Sequence, residues 1–146
     1  GQLVCAGETS QIDAFCQKVG EAGGRAKKLA VSGGFHSPFM ESASDALREV
    51  LEGEELREPK VPVYANFHAK PYTLGSAKEL LVQQVKNPVR WQETVEALSA
   101  LGVDTFIECG PGKTLSGLIR KTVKDATVLN VQDGESLSAA LEALGR

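Results

Sequence analysis

The last third of the chain alternates between two kinds of segment. "VDTFIEC" (residues 103–109) is a buried-type strand, "GPGK" a tight turn, and "TLSGLIRKTV" (114–123) a helix. "ATVLNV" (126–131) is then a second strand and "SLSAALEAL" (136–144) a second helix. Strand, helix, strand, helix at this spacing argues for a parallel sheet with helices packed on it, because parallel strands need crossover connections that cover the sheet faces. The expected class is therefore α/β.

The upstream segments are less regular. "QLVCAG" reads as a short strand ending in glycine. Ser10 and Asp13 form a capping-box start for a helix in which Ile12, Phe15, Cys16 and Val19 recur at helical spacing. Gly23-Gly24 ends it, and "RAKKLAV" (25–31) is strand-like. Past His36, Ser37 can cap a helix with Pro38 at its first position. Met40, Ala43, Leu47, Val50 and Leu51 give that helix one apolar stripe. "EGEELREPK" is a charged link and "VPVYAN" a strand. Ser76 and Glu79 form a second capping box, opening a helix through Leu80, Leu81 and Val85 that Asn87-Pro88 breaks. A further helix carries Trp91, Val95 and Leu98 and stops at Gly102. The chain shows neither an internal repeat nor a low-complexity tract.

Composition narrows the function classes. The 146 residues suffice for about one domain, and 42% hydrophobic with 24% charged residues is a globular balance. A net charge of −3 argues against nucleic acid as the main partner. No apolar run approaches the length needed to span a bilayer, and the first residues lack the pattern of a signal peptide, so neither a membrane nor secretion is expected. Cys5, Cys16 and Cys109 are odd in number and widely spaced, as expected of reduced, mostly buried thiols in a cytoplasmic protein, and they offer no zinc-ligand spacing. The chain begins at Gly1 without methionine and enters a strand-like run at once, as expected of a fragment or a processed chain.

Several motifs invite chemistry. "GPGKT" resembles the end of a phosphate loop, but Ile107 stands where a Walker-type loop needs its first glycine. The turn either is structural or lines a site at the carboxyl edge of the sheet. His36 and His68 are the two histidines, and neither has ligand-spaced neighbours for a metal. His36 stands between a glycine pair and a Ser-Pro helix start, at a crossing where α/β enzymes act. As a general base it needs a nucleophile within hydrogen-bond reach and an acceptor on its other ring nitrogen. The chain has no Gly-x-Ser-x-Gly elbow, and no serine stands out as activated. Arg120, Lys121 and Lys124 follow the glycine turn and Arg25, Lys27 and Lys28 precede the His36 loop; each set is either a solvated face or a landing surface for an acidic partner.

Three motifs, "SGGFHSPFM", "QQVKNPVRW" and "ECGPGKTLSGL", in this order and at these separations, resemble the C-terminal half of the malonyl-CoA:acyl carrier protein transacylases. These are the acyltransferases of bacterial fatty-acid synthesis, related to the acyltransferase domains of polyketide synthases. The resemblance covers essentially the whole chain. It implies a malonyl group moved from coenzyme A to the phosphopantetheine thiol of acyl carrier protein by way of a serine in a Gly-His-Ser-x-Gly elbow. By the match of "GGFHSP", His36 is implied as the catalytic histidine. By the match of "QQVKNPVRW", the backbone carbonyl of Gln84 is implied to orient it. Phe35 resembles the bulky residue of malonyl-selective relatives, a selectivity of about 1–3 kcal/mol per methyl-sized group. Asn66 and the Gly110–Lys113 turn are implied to line or brace the site. Malonyl-CoA is a substrate, and neither cofactor nor metal is implied.

The same resemblance places the serine elbow, its oxyanion-hole partner and the arginine that pairs with the malonyl carboxylate in an N-terminal half outside this sequence. Its fold has a large α/β-hydrolase-like subdomain and a small ferredoxin-like one. Residues 1–31 match the C-terminal part of the small subdomain and residues 32–146 the C-terminal part of the large. The chain alone is then expected to turn nothing over and to need the N-terminal half of the same enzyme as companion. Two other readings stay open at this level: a non-catalytic association module, and a small nucleotide-binding α/β domain built on "GPGKT".

Overall fold

The computed structural model describes residues 1–145. It divides into two compact units, one of residues 1–89 and one from Arg90 onward. The first holds α1 (Thr9–Glu21), a 3₁₀ turn (Pro38–Met40), α2 (Glu41–Glu52), the two-residue strands β1 (Tyr64–Ala65) and β2 (Lys70–Pro71), and α3 (Leu74–Lys86). The second holds α4 (Trp91–Ala100), β3 (Thr105–Cys109), α5 (Thr114–Thr122), β4 (Thr127–Val131) and α6 (Gly134–Ala143).

The second unit follows the sequence closely. β3 and β4 pair in parallel, Thr105 opposite Thr127 through Cys109 opposite Val131, with α5 as the crossover. Val95, Phe106 and Ile119 are its buried centre, and Trp91, Leu98, Val103, Val123, Ala126 and Val128 pack around them. The α/β class expected from the alternation is the class observed.

In the first unit, α2 packs on α3. The buried side of α2 is centred on Ser44 and Leu51, whereas Val50 of the expected stripe is 62% exposed. Ser44 is fully buried and donates its hydroxyl to the Val82 carbonyl at 2.9 Å. A hydroxyl whose donor is satisfied is tolerated inside, and a reading by hydropathy passes over it. Arg48 of α2 forms a bidentate pair with Glu79 of α3.

Several local expectations are corrected. "QLVCAG" and "RAKKLAV" form no strand; no neighbouring strand pairs with them among the described residues, and Leu3, Val4, Leu29 and Val31 are exposed. A strand exists only where another strand takes its N–H and C=O groups. "VPVYAN" shrinks to Tyr64–Ala65, paired antiparallel with Lys70–Pro71 in a hairpin the sequence did not announce. α1 starts after Glu8 with no side-chain cap, and Asp13 pairs with Lys28 instead. α3 starts two residues before Ser76: Thr73 and Ser76 are the capping box, which frees Glu79 for Arg48. The three cysteines are free, but Cys5 and Cys109 are exposed and Cys16 half-buried, not mostly buried. Among the described residues no helix is long and apolar enough to cross a membrane.

Candidate functional site

The loop before α2 is built to present His36. Ser37 is buried, donates its Oγ to the Gly34 carbonyl at 2.5 Å, and accepts the Phe39 N–H at 3.3 Å. Pro38 follows as the first residue of the 3₁₀ turn, where its missing N–H leaves nothing unpaired. These bonds tie the residues on both sides of His36 to one another. Gly34 is required for space: a Cβ there would stand 2.9 Å from Phe39 Cδ2 and 3.1 Å from Ser37 Oγ. The unusual torsion falls on the histidine itself, with φ of +56°. That left-handed conformation is costly for most side chains, and such outliers concentrate at working sites.

The exposed His36 ring meets the end of α3. Its Nδ1 lies 2.8 Å from the Gln84 carbonyl oxygen. A carbonyl only accepts, so Nδ1 carries the hydrogen, and in the neutral ring Nε2 keeps its lone pair free. The two carbonyls before it also receive side-chain donors: Ser44 Oγ reaches Val82 O, and Asn87 Nδ2 reaches Gln83 O at 2.8 Å. The Gln84 side chain accepts the amide of Asn66 at 3.3 Å. His36, Gln84 and Asn66 therefore form one connected set. Phe35, beside the histidine, is half exposed.

His68 has a local task. It lies in the β1–β2 turn and its Nδ1 accepts the Lys70 N–H at 3.2 Å, next to Ala69 at φ of +54°. Among the described residues no group of three histidine, cysteine or carboxylate side chains is placed to hold a metal ion.

The Gly110–Lys113 turn belongs to the second unit. Gly110 and Gly112 take φ of +134° and +89°, torsions that favour glycine. The helix N-terminus that follows is already occupied. Glu108 at the end of β3 accepts the Leu115 N–H at 3.1 Å, the Ser116 N–H at 2.8 Å and the Ser116 hydroxyl at 2.5 Å. Those bonds, led by the Ser116 hydroxyl, hold the Glu108 carboxyl below its ordinary range. Gly112 N–H goes to Gln132 Oε1 at 3.1 Å, and Asn130 Nδ2 to the Gly112 carbonyl at 2.7 Å. A fixed anion takes the donors a phosphate would use, which removes the geometry of the nucleotide reading. Of the basic residues, Arg120 donates to the Val128 carbonyl at 2.8 Å and so braces β4.

Residues 1–140 match the family model described as the acyl transferase domain. The chain belongs to the acyl transferase domain family. A malonyl CoA-acyl carrier protein transacylase of Bacillus subtilis is 39% identical to this acyl transferase chain over 146 residues, which are 99% of the chain and 46% of that protein. Its Escherichia coli counterpart is 37% identical over 97% of the chain and 47% of its own length. The solved transacylase of Clostridium perfringens superposes with a TM-score of 0.88 at 38% identity, over 92% of this chain and 43% of that one. A malonyl-transacylase solved in complex with its type II polyketide synthase acyl-carrier protein gives a TM-score of 0.89 at 39% identity, over 94% and 45%. The chain thus spans a little under half the length of these relatives.

Proposed function

We propose that this chain is the histidine-bearing portion of a malonyl-CoA:acyl carrier protein transacylase, with His36 as the proton carrier. The observation that carries this reading is the bond between His36 Nδ1 and the Gln84 carbonyl, which leaves Nε2 free to work. The likeness to transacylases along nearly the whole chain supports the substrate class.

The chemistry runs in two matched halves. Nε2 takes the proton of a serine hydroxyl as its oxygen attacks the malonyl thioester carbon. The tetrahedral intermediate collapses, the C–S bond breaks, and the Nε2 proton goes to the departing coenzyme A thiolate. The phosphopantetheine thiol of acyl carrier protein then gives its proton to Nε2 and attacks the acyl-serine carbon. The C–O bond breaks and the serine recovers the proton. A neutral carbonyl on Nδ1 fixes the tautomer through both halves, and the negative end of the α3 dipole favours the positive charge the ring acquires. Phe35 fills space beside the malonyl methylene, and Asn66 steadies Gln84 through its side chain.

On this reading the serine, the oxyanion hole and the carboxylate-binding arginine come from the N-terminal half of the same enzyme, and residues 1–146 alone are inactive. Residues 1–31 are the end of the ferredoxin-like small subdomain, residues 32–146 the returning part of the large one, and the setting is the cytoplasm. The test uses the complete protein that carries this sequence. His36→Ala is expected to lower malonyl transfer to acyl carrier protein about 10²–10⁴-fold, the usual worth of a positioned acid–base group. Unchanged transfer in that variant would remove His36 from the mechanism.

A further inference from the structure

The Gln84 carbonyl meets His36 without the backbone donor that a continuing helix would place on it. In a continuing α-helix, the oxygen of residue 84 accepts the N–H of residue 88, four positions on. Residue 88 is proline and has no N–H to give. Proline also drives the residue before it out of the helical region, and Asn87 is accordingly extended, at φ −122° and ψ 155°. α3 therefore ends at Lys86, and the oxygen two residues inside that end has no backbone donor to accept. Asn87 turns its side-chain amide back onto Gln83 O and onto Gln83 Oε1 at 3.0 Å, so it serves the neighbouring carbonyl and leaves that of Gln84 alone. Among the described residues, the hydrogen bond at Gln84 O is that from the His36 ring.

We propose that Pro88 is a positioning residue for His36: by withholding a backbone N–H, it reserves the Gln84 carbonyl for Nδ1 and so sets the tautomer that leaves Nε2 free. The claim deepens the reading of His36 given above and rests on it for its catalytic consequence. Its structural part concerns only the ring and the carbonyl. A backbone N–H on Gln84 O would share the oxygen with the ring and draw the carbonyl along the helix axis, which weakens the bond to Nδ1, and a ring with a weakened acceptor divides between tautomers.

The test compares two replacements in the complete protein. Pro88→Ala supplies an N–H at position 88. Lactic acid placed at position 88 has the same methyl group but an ester oxygen in place of that N–H. The ¹⁵N chemical shifts of the His36 ring report the tautomer, and steady-state transfer with malonyl-CoA reports the consequence. For Pro88→Ala, the Nδ1–H form is expected to lose its dominance, and kcat to fall on the order of tenfold with KM for malonyl-CoA unchanged. The lactate variant is expected to restore both readouts. Equal impairment of the two variants would assign the effect to the proline ring's rigidity and overturn the proposal, as would an unaltered tautomer in Pro88→Ala. A shifted tautomer with undiminished turnover upholds the role of Pro88 and counts instead against His36 as the proton carrier.

Discussion

His36 takes a left-handed backbone conformation in a loop where two glycines precede it, and neither glycine shares that torsion. Gly34 instead makes room for Phe39 and Ser37, and Ser37 ties the turn shut through the Gly34 carbonyl. Gly34→Ala is expected to push the turn open and to cost about 1–3 kcal/mol, the usual range for overpacking. On the proposed function the same turn aims the ring, and malonyl transfer by the complete protein is then expected to fall on the order of 10²-fold. Gly33→Ala is the matched control, since a Cβ there meets nothing closer than Phe35 Cζ at 3.8 Å. Comparing the two variants by thermal unfolding and by transfer rate checks the assignment, and equal behaviour would contradict it.

The pairing of α2 with α3 places the Gln84 carbonyl opposite the His36 loop, and the contacts that hold it are polar as well as apolar. Ser44 is buried against Val82, and Lys86 reaches Glu41 across the same seam. The Arg48 guanidinium, helped by the Gln83 amide, holds the Glu79 carboxyl at about 2, down from an ordinary 4.5. A depressed carboxyl stabilises the fold fully above its ordinary value and loses that contribution as pH falls through its folded value. Stability owed to Glu79 is therefore expected in full above pH 4.5 and to disappear between 4.5 and about 2. The pair is half exposed, so the effect is small and weakens with salt. Urea midpoints measured across this range should fall less with pH in Glu79→Gln than in the parent chain. Parallel pH curves would mean that the pair contributes nothing.

For the molecule as a whole, stability rests on small cores. The unit from Arg90 onward is centred on three buried apolar side chains, Val95, Phe106 and Ile119, with Ile119 only 4% exposed. Ile119→Ala is expected to cost about 2–5 kcal/mol, a large share of the roughly 5–15 kcal/mol by which domains are stable. Hydrogen exchange should report it as lost amide protection along residues 105–109 and 127–131, where β3 and β4 pair. Retained protection there would show that the cluster carries less of the stability than its burial implies.

Much of this architecture was legible in the amino-acid order because it depends on neighbours in sequence. Alternating β-branched runs and helical periods specify β3, α5, β4 and α6, each local preference agreeing with the final packing. Proline and glycine fix where α3 and α4 stop, since their backbone limits hold in any context. The resemblance of "GGFHSP" and "QQVKNPVRW" to the transacylases implies the histidine and the Gln84 carbonyl as candidates. Tertiary structure decided what depends on distant partners. Residues 2–7 and 25–31 have strand composition without pairing, because a strand is defined by the chain beside it. Ser44 is interior because a carbonyl on α3 awaits its hydroxyl, which no hydropathy scale records. Glu108 closes the "GPGK" turn to phosphate because folding brings it to the α5 N-terminus, eight residues ahead of Ser116. The sequence names the groups with chemistry to offer, and the fold determines which of them already have a partner.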